Sequence, residues 1–226
     1  MPGTAIFDMD RTLTRTGTWS RYVFRVNKTR PTFYLRLPLL GLHAILYKLG
    51  LASRCSVKEH GLKTIRWVPR HKLEAIAEAF AEEEVRSGLR QRTLSVLEQH
   101  RRAGDRLVMA TAAAELVARP IAKKLGIDYV ICTELEWSAD GFLTGSLSGE
   151  NCYGPAKLDA VLAANESASF ARPISAYSDH VSDTPFLEWA DQPVAVNPCR
   201  GLTRIAAMAG FRVEDWESEQ MVETAS

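Results

Sequence analysis

The feature that most constrains the fold is the alternation of short apolar runs with helical stretches. Runs such as 4–8 (TAIFD) and 106–110 (RLVMA) have the composition of buried strands, and helical patterns separate most of them. Strands that alternate with helices predict a parallel sheet covered on both faces. We therefore expect an α/β fold with a Rossmann-like parallel sheet core, whose later strands lie at 128–132, 174–177 and 193–196.

A long helical block interrupts this alternation. Candidate helices lie at 18–27, 32–49, 56–67 and 70–87, and no convincing strand occurs among them. About 70 residues is far more than an ordinary connection between strands. We expect a core formed by residues 1–13 and 89–226, with an all-helical cap at 14–88 inserted between the first and second core strands. The acidic tail from Val213 is expected to be loose.

Four polar clusters follow or adjoin the strand-like segments. In an open α/β sheet, functional sites form at the carboxyl ends of the strands. We therefore expect the clusters to meet in one crevice, with Lys157 reaching it from a helix start. The clusters are Asp8-x-Asp10-x-Thr12, Thr111, Lys157 after Gly154-Pro155, and Asp179-x-x-x-Asp183.

The residue types in these clusters suit a divalent cation and a phosphoryl group. Oxygen ligands that leave room for waters favour Mg²⁺. A carboxylate near such an ion can attack phosphorus, and a second carboxylate can protonate the leaving alkoxide and then activate water. A lysine and a threonine hydroxyl can stabilise the charge on the transferred group.

The four clusters in order resemble the motifs of the haloacid dehalogenase (HAD) superfamily, in the branch that includes the phosphoserine phosphatases. The matching segments are DMDRT at 8–12, ATA at 110–112, GPAK at 154–157 and SDHVSD at 178–183. The resemblance covers nearly the whole chain. It implies the HAD fold with a C1-type helical cap between the first and second motifs.

The resemblance also implies the roles of three aspartates. Asp8 would be the nucleophile and a ligand of Mg²⁺. Asp10 would be the general acid/base and would offer its backbone carbonyl to the ion. Asp179 would be the third protein ligand. The acid at position 10 favours phosphatase chemistry, because the dehalogenases of the superfamily lack it and the ion-pumping ATPases carry threonine there.

The remaining motif residues would hold or support the phosphoryl group. The resemblance implies that Thr111, Ala112 and Lys157 bind it, and that Asp183 orders a metal-bound water or Lys157. Thr111 and Asp183 also have a simpler interpretation as N-caps of the helices that follow them.

The chain departs from the phosphoserine phosphatase pattern at the start of the cap. Members of that branch typically carry a glutamate there that binds the substrate amine, and the corresponding place falls near Gly17. No acidic residue occurs from 12 to 58. The second motif reads Thr111-Ala112 in place of Ser-Gly, and His180 and Ser182 replace Gly and Asn in the fourth. We therefore expect the substrate not to be phosphoserine.

The charge of the chain is unevenly distributed. The whole chain has a net charge of +1, but residues 14–72 hold 13 basic residues and one acidic residue, net +12, against −11 elsewhere. Such asymmetry indicates an anionic partner at the cap. Segment 31–49 combines aromatic residues, leucines and flanking basic residues, as interfacial helices do. A solvated basic rim around a packed cap explains the same residues without a partner.

Three interpretations of function follow. The first is an Mg²⁺-dependent phosphomonoester hydrolase acting through an aspartyl-phosphate on Asp8, with a phosphorylated small molecule as substrate. The second is a lipid phosphate phosphatase at an anionic membrane surface, similar to phosphatidylglycerophosphate phosphatases. The third is a catalytically weak phosphate-binding protein. No nucleic-acid partner is expected, because no binding motif is recognised.

The absence of a signal peptide or spanning segment in the sequence predicts a cytoplasmic location. Peripheral attachment to the inner face of a membrane is the alternative.

Overall fold

The computed structural model describes residues 2–34, 54–127 and 129–217, and these residues contain one six-stranded sheet and one two-stranded sheet. The strands are β1 (Thr4–Phe7), β2 (Arg106–Ala114), β3 (Tyr129–Thr133), β4 (Leu135–Trp137), β5 (Leu143–Leu147), β6 (Ile174–Ser178), β7 (Gln192–Val196) and β8 (Arg212–Glu214).

The larger sheet has the order β3-β2-β1-β6-β7-β8, and each adjacent pair is parallel. Strands β4 and β5 form an antiparallel hairpin. The α-helices among the described residues are α1 (Trp19–Asn27), α2 (Pro31–Tyr34), α3 (Arg54–Ile65), α4 (Arg70–Glu83), α5 (Thr93–Ala103), α6 (Glu115–Lys124), α7 (Pro155–Ala168), α8 (Thr184–Trp189) and α9 (Arg200–Ala209). Short π-helical segments at Met9–Leu13 and Glu84–Gly88 and a 3-10 helix at Val181–Asp183 accompany them.

Apolar side chains alternate between the two faces of the larger sheet, as the two-residue period of a strand requires. Phe7 and Met109 pack on one face with residues of α5 and α6, whereas Ile6 and Val108 pack on the other with residues of α7, α8 and α9. Both faces are therefore covered by helices. The predicted α/β fold with a parallel sheet core is confirmed.

The chain between β1 and α5 is helical where the structure describes it, apart from turns, short extended connections and a single bridge that pairs its two ends. Its helices α1, α3 and α4 pack together, and the Tyr22 hydroxyl donates to the carbonyl of Leu73 at 2.8 Å. Helix α4 packs against α6, and α3 packs against the β4–β5 hairpin. The insert thus lies directly against the core helices and hairpin.

An antiparallel bridge between Thr14 and Leu89 joins the two ends of this insert. The bridge lies beside the boundaries that the sequence predicts for the cap, 14–88. That division into domains stays a prediction, and the bridge is a structural reason to keep it.

Two expectations about the second half of the chain are wrong. Strand β2 extends to Ala114 and helix α6 begins at Glu115, so Thr111 and Ala112 lie inside the strand and not after its end. The chain from Val213 is not loose up to residue 217. It forms β8 on the edge of the sheet, and Trp216 is fully buried.

The helix predicted at 32–49 falls largely outside the described residues, which contain only α2 from that stretch. The same holds for most of the aromatic and basic segment 31–49. Among the described residues, no helix has the length and apolar character needed to cross a bilayer.

Candidate active site

The predicted site residues meet at the carboxyl end of the sheet. Strand β1 lies between β2 and β6, so the chain runs to one side of β1 first and to the other side later. Such a switch point opens a crevice at the ends of the strands. A cavity of about 370 Å³ lies there, and all seven predicted site residues line it: Asp8, Asp10, Thr111, Ala112, Lys157, Asp179 and Asp183.

Lys157 joins two of the aspartates. It lies in the first turn of α7, is 2% exposed, and donates from Nζ to Asp8 Oδ1 at 2.8 Å and to Asp183 Oδ2 at 2.6 Å. Burial alone would lower the pKa of Lys157, but the two carboxylates outweigh it and raise the pKa. The lysine is therefore a fixed positive charge at the floor of the cavity.

Asp183 occupies the N-cap position of α8, but its carboxylate does not cap the helix. Its Oδ2 atom accepts hydrogen bonds from Lys157 and from the Ser178 hydroxyl at 2.7 Å. The simpler interpretation of Asp183 as a helix cap is therefore wrong. The carboxylate is committed to holding Lys157.

Thr12 places the Asp8 and Asp179 carboxylates next to each other. Its Oγ1 atom lies 3.1 Å from Asp8 Oδ2 and 3.4 Å from Asp179 Oδ1, and it accepts from the amide of Asp179. Burial, together with the carboxylates of Asp183 and Asp179, raises the pKa of Asp8 to about 7, in spite of the opposing effect of Lys157. Burial and the Asp183 carboxylate raise the pKa of Asp179 to about 6.

This donor set fits a divalent cation. Two buried carboxylates that repel each other are stabilised in their charged forms by a cation between them. The described residues contain no group of three or more His, Cys, Asp or Glu side chains arranged around a metal position. The fit therefore rests on Asp8 and Asp179 together with backbone or water oxygens.

Asp10 faces the same cavity but has different partners. Its Oδ1 atom accepts hydrogen bonds from the amide of Thr18 at 2.9 Å and from the Thr18 hydroxyl at 2.8 Å. Burial raises the pKa of Asp10, and the bonds from Thr18 oppose that effect. Thr18 directly precedes α1, so the insert itself orients this carboxylate.

Thr111 and Ala112 lie where β2 loses its register with β3, between Ala110 and Ala114. The Thr111 hydroxyl accepts a hydrogen bond from the amide of Ala113 at 3.1 Å. The N-cap position of α6 is Ala114, so the interpretation of Thr111 as a helix cap is wrong. The irregular backbone turns both residues toward the cavity.

The rim of the cavity contains residues to which the sequence analysis gave no role in the site. Arg11, Tyr153, His180 and Ser182 line it, and so does Gly17. A Cβ atom added to Gly17 would lie 4.0 Å from Asp10 Oδ2. The place where the resemblance puts a substrate-binding glutamate is therefore at the cavity, and a glycine occupies it.

Sequence reasoning also missed Lys58, which α3 brings against the core beside Ala112. It was counted only as part of the basic surface, yet it is 8% exposed. Its position four and seven residues before the buried Leu62 and Ile65 places it on the apolar face of the helix. That spacing is the sequence pattern that could have indicated a buried lysine.

Known proteins resemble this chain along most of its length. The family model described as haloacid dehalogenase-like hydrolase matches residues 5–188. Phosphoserine phosphatase SerB1 from Mycobacterium tuberculosis is 30% identical over 219 residues, which cover 94% of this chain and 70% of SerB1. The inhibition of morphological differentiation protein from Streptomyces azureus is 40% identical over 54% of this chain, and the chain spans only 44% of that protein's length.

The fold is shared with a solved structure as well. A crystal structure of a protein of unknown function from Bordetella pertussis Tohama I has a TM-score of 0.85 and 28% identity, and the match covers 96% of this chain and 99% of that one. The prediction of a hydrolase of this superfamily is confirmed, and its phosphatase class has the support of the phosphatase among the relatives. The family match over residues 5–188 shows that this chain belongs to the haloacid dehalogenase-like hydrolases.

Proposed function

We propose that the chain is an Mg²⁺-dependent phosphomonoester hydrolase that forms an aspartyl-phosphate on Asp8. The observation that carries the proposal is the convergence of the seven motif residues on one cavity, with Lys157 bound to both Asp8 and Asp183. The family match places the chain among hydrolases, and the chemistry of the residues that line the cavity supports this reaction.

In the first step, a carboxylate oxygen of Asp8 attacks phosphorus and the bond from phosphorus to the ester oxygen breaks. Asp10, protonated at this stage, gives its proton to the departing alkoxide. The Lys157 ammonium has three donors, of which Asp8 and Asp183 take two among the described residues. The third N–H of Lys157 is suited to donate to a phosphoryl oxygen, and the Thr111 hydroxyl is a second donor to the same group.

In the second step, Asp10 removes a proton from a water molecule, which attacks phosphorus and releases inorganic phosphate from Asp8. The side chain of Asp10 is held for both tasks by Thr18. Mg²⁺ bound by Asp8, Asp179 and the backbone carbonyl of Asp10 would screen the repulsion between the attacking carboxylate and the phosphate. Asp183 keeps Lys157 in place throughout.

We further propose that the leaving group is not an amino acid with a free amine. The cavity has Gly17 where an amine-binding carboxylate would stand, and its rim carries Arg11 and His180. The name of SerB1 points to phosphoserine for that relative. A substrate panel that includes phosphoserine, sugar phosphates, polyol phosphates and a lipid phosphate in micelles decides between these leaving groups.

The two alternative functions stay predictions. The lipid phosphate interpretation depends on a basic, aromatic segment of which only Pro31–Tyr34 is described. The interpretation as a catalytically weak binding protein would require the loss of a reacting group, and each acid and cation required for the proposed chemistry is present in the cavity.

The proposal is tested by replacing the nucleophile. We expect Asp8→Asn to lower the turnover of an aryl phosphate by about 10³-fold or more, because an amide oxygen cannot form the covalent intermediate. Removing divalent cations with EDTA should abolish turnover, and added Mg²⁺ should restore it. Asp159→Asn, an exposed change two residues after Lys157 on the same helix, is the matched control.

Trapping of the phosphorylated protein by rapid quench and mass spectrometry locates the intermediate. A phosphate on Asp8 is expected. Turnover that survives Asp8→Asn or EDTA would contradict the mechanism, and a wild-type protein that binds inorganic phosphate without turnover would favour the binding-protein alternative.

A further inference from the structure

We propose that Lys58 is a positioning residue, through which the cap holds the backbone of Ala112 and so places Thr111 for the phosphoryl group. This inference rests on the proposed function, since it concerns the same cavity. It assigns a task in the reaction to a residue outside the four motifs.

Lys58 reaches the core from the insert. It lies on α3, which packs against the β4–β5 hairpin, and its side chain is buried with Leu62 and Ile65 on one face of that helix. An ammonium in an apolar setting is costly unless its donors are satisfied. A lysine in this place therefore needs defined acceptors.

Three acceptors from three different core segments satisfy Lys58. The Nζ atom donates to the carbonyl of Ala112, to Thr133 Oγ1 at 3.0 Å and to Asn151 Oδ1. An ammonium has three donors, and these three contacts among the described residues match that number. That is why we assign Lys58 to holding the protein and not to binding the substrate.

The acceptors of Lys58 are also within hydrogen-bond distance of one another. The Thr133 hydroxyl lies 3.0 Å from both the Ala112 carbonyl and Asn151 Oδ1, and it accepts from the amide of Cys152 at 3.2 Å. Thr133 is the last residue of β3, and Cys152 leads to Tyr153 and the first turn of α7. Lys58 thus ties the cap to the segments that carry the second and third motifs.

The backbone at Ala112 needs the contact with Lys58, because the regular pairing of β2 with β3 is interrupted there. The pairing of β2 with β3 passes from Ala110 directly to Ala114, so residues 111–113 lie in an irregular stretch. Thr111 is buried in this stretch and faces the cavity. A carbonyl fixed by an ammonium and a hydroxyl sets the direction of the peptide next to Thr111.

The experiment compares kcat, KM and inhibition by inorganic phosphate for an aryl phosphate substrate. We expect Lys58→Met to lower kcat about tenfold and to weaken phosphate inhibition by a similar factor. The Mg²⁺ concentration for half-maximal activity should stay within about twofold, because Asp8 and Asp179 are untouched. Lys58→Arg should recover part of kcat, since it keeps the charge but not the geometry.

Two further comparisons separate positioning from simple destabilisation. Thr133→Val removes the hydroxyl of the same network and should lower kcat in the same direction, and the double variant should be no worse than the more impaired single variant. Lys63→Met, on the same helix with its side chain beside Gly145, is the control and should match the wild type. Thr133→Val and Asn151→Ala decide the matter if Lys58→Met does not fold.

The inference is overturned if Lys58→Met keeps wild-type kcat and phosphate inhibition, or if the losses of the two single changes multiply in the double variant. A wild type that hydrolyses no phosphate ester would overturn the proposed function first. An active wild type with an inactive Asp8→Asn and a fully active Lys58→Met would overturn the inference alone.

Discussion

Asp8 and Asp10 are two residues apart, yet their carboxylates have different partners. Asp8 contacts Lys157 and Thr12 within the core, whereas Asp10 contacts the amide and hydroxyl of Thr18 at the entry to α1. Residues of the core therefore orient the proposed nucleophile, and a residue of the insert orients the proposed acid/base. A change in the position of the insert acts first on proton transfer.

Gly17 gives a prediction at this scale, because it lies beside the Asp10 carboxylate. We expect Gly17→Glu to raise the ratio of kcat/KM for phosphoserine to that for an aryl phosphate by about tenfold, since the new carboxylate can pair with the substrate amine. Gly17→Gln has nearly the same size without the charge and should leave the ratio unchanged. Equal ratios for the two variants would show that the missing carboxylate does not determine this selectivity.

The motif residues could be predicted from the sequence because DMDRT, ATA, GPAK and SDHVSD occur in the order of the four motifs of the superfamily. Lys58 could not be found in this way, because its role depends on Thr133 and Asn151, which are 75 and 93 residues away. A count of charges treats every lysine as solvated. Only its place on the apolar face of α3 distinguishes it.

Among the elements, β8 shows where pattern reasoning fails. Arg212 and Val213 are exposed and Glu214 is half-buried, so the strand has no apolar alternation to reveal it. Its stability comes from backbone pairing with β7 and from Trp216 just beyond it. The strands β1, β2, β6 and β7, by contrast, contain buried apolar runs that the sequence located, although β2 extends to Ala114, beyond its predicted end.

Trp216 gives a prediction at the scale of the element. The side chain is fully buried, donates from Nε1 to Glu214 at 2.7 Å and packs 5.7 Å from the ring of Tyr177. We expect Trp216→Ala to lower the free energy of unfolding by about 3–5 kcal/mol, as for other large buried aromatic residues. Met208→Ala, at a side chain that is 87% exposed, should change it by less than about 0.5 kcal/mol.

Chemical denaturation measures both values. A loss below about 1 kcal/mol for Trp216→Ala would show that the end of the described chain contributes little to the fold.

At the scale of the whole molecule, the net positive charge of the predicted cap, residues 14–88, is smaller than the +12 counted over residues 14–72. Glutamates at 74, 78, 82, 83 and 84 follow directly, so the net charge over 14–88 is +8. Arg21 pairs with Glu84, and Arg25 pairs with Glu83. Part of the positive charge is thus used to hold α1 against the end of α4, which weakens the argument for an anionic surface partner.

The insert and the sheet share one apolar core, which favours their unfolding together. Tyr22, Leu73 and Phe80 of the insert belong to the same buried cluster as Phe7 and Met109 of the sheet. We expect a single unfolding transition in urea, because a shared core cannot be exposed in halves. Hydrogen exchange should then show the same denaturant dependence for peptides from α4 and from β2. An earlier transition in the α4 peptides would mean that the insert opens independently.

The Thr14–Leu89 bridge has a consequence for how proteins of this architecture diversify. Since the chain leaves the core and returns to it at paired residues, the intervening length is a side branch whose two attachment points stay together. Lengthening or shortening such a branch changes the loop-closure entropy only slowly. Recombination can therefore exchange the branch between related genes with the reaction chemistry intact, provided that the incoming segment supplies donors where Thr18 and Lys58 stand.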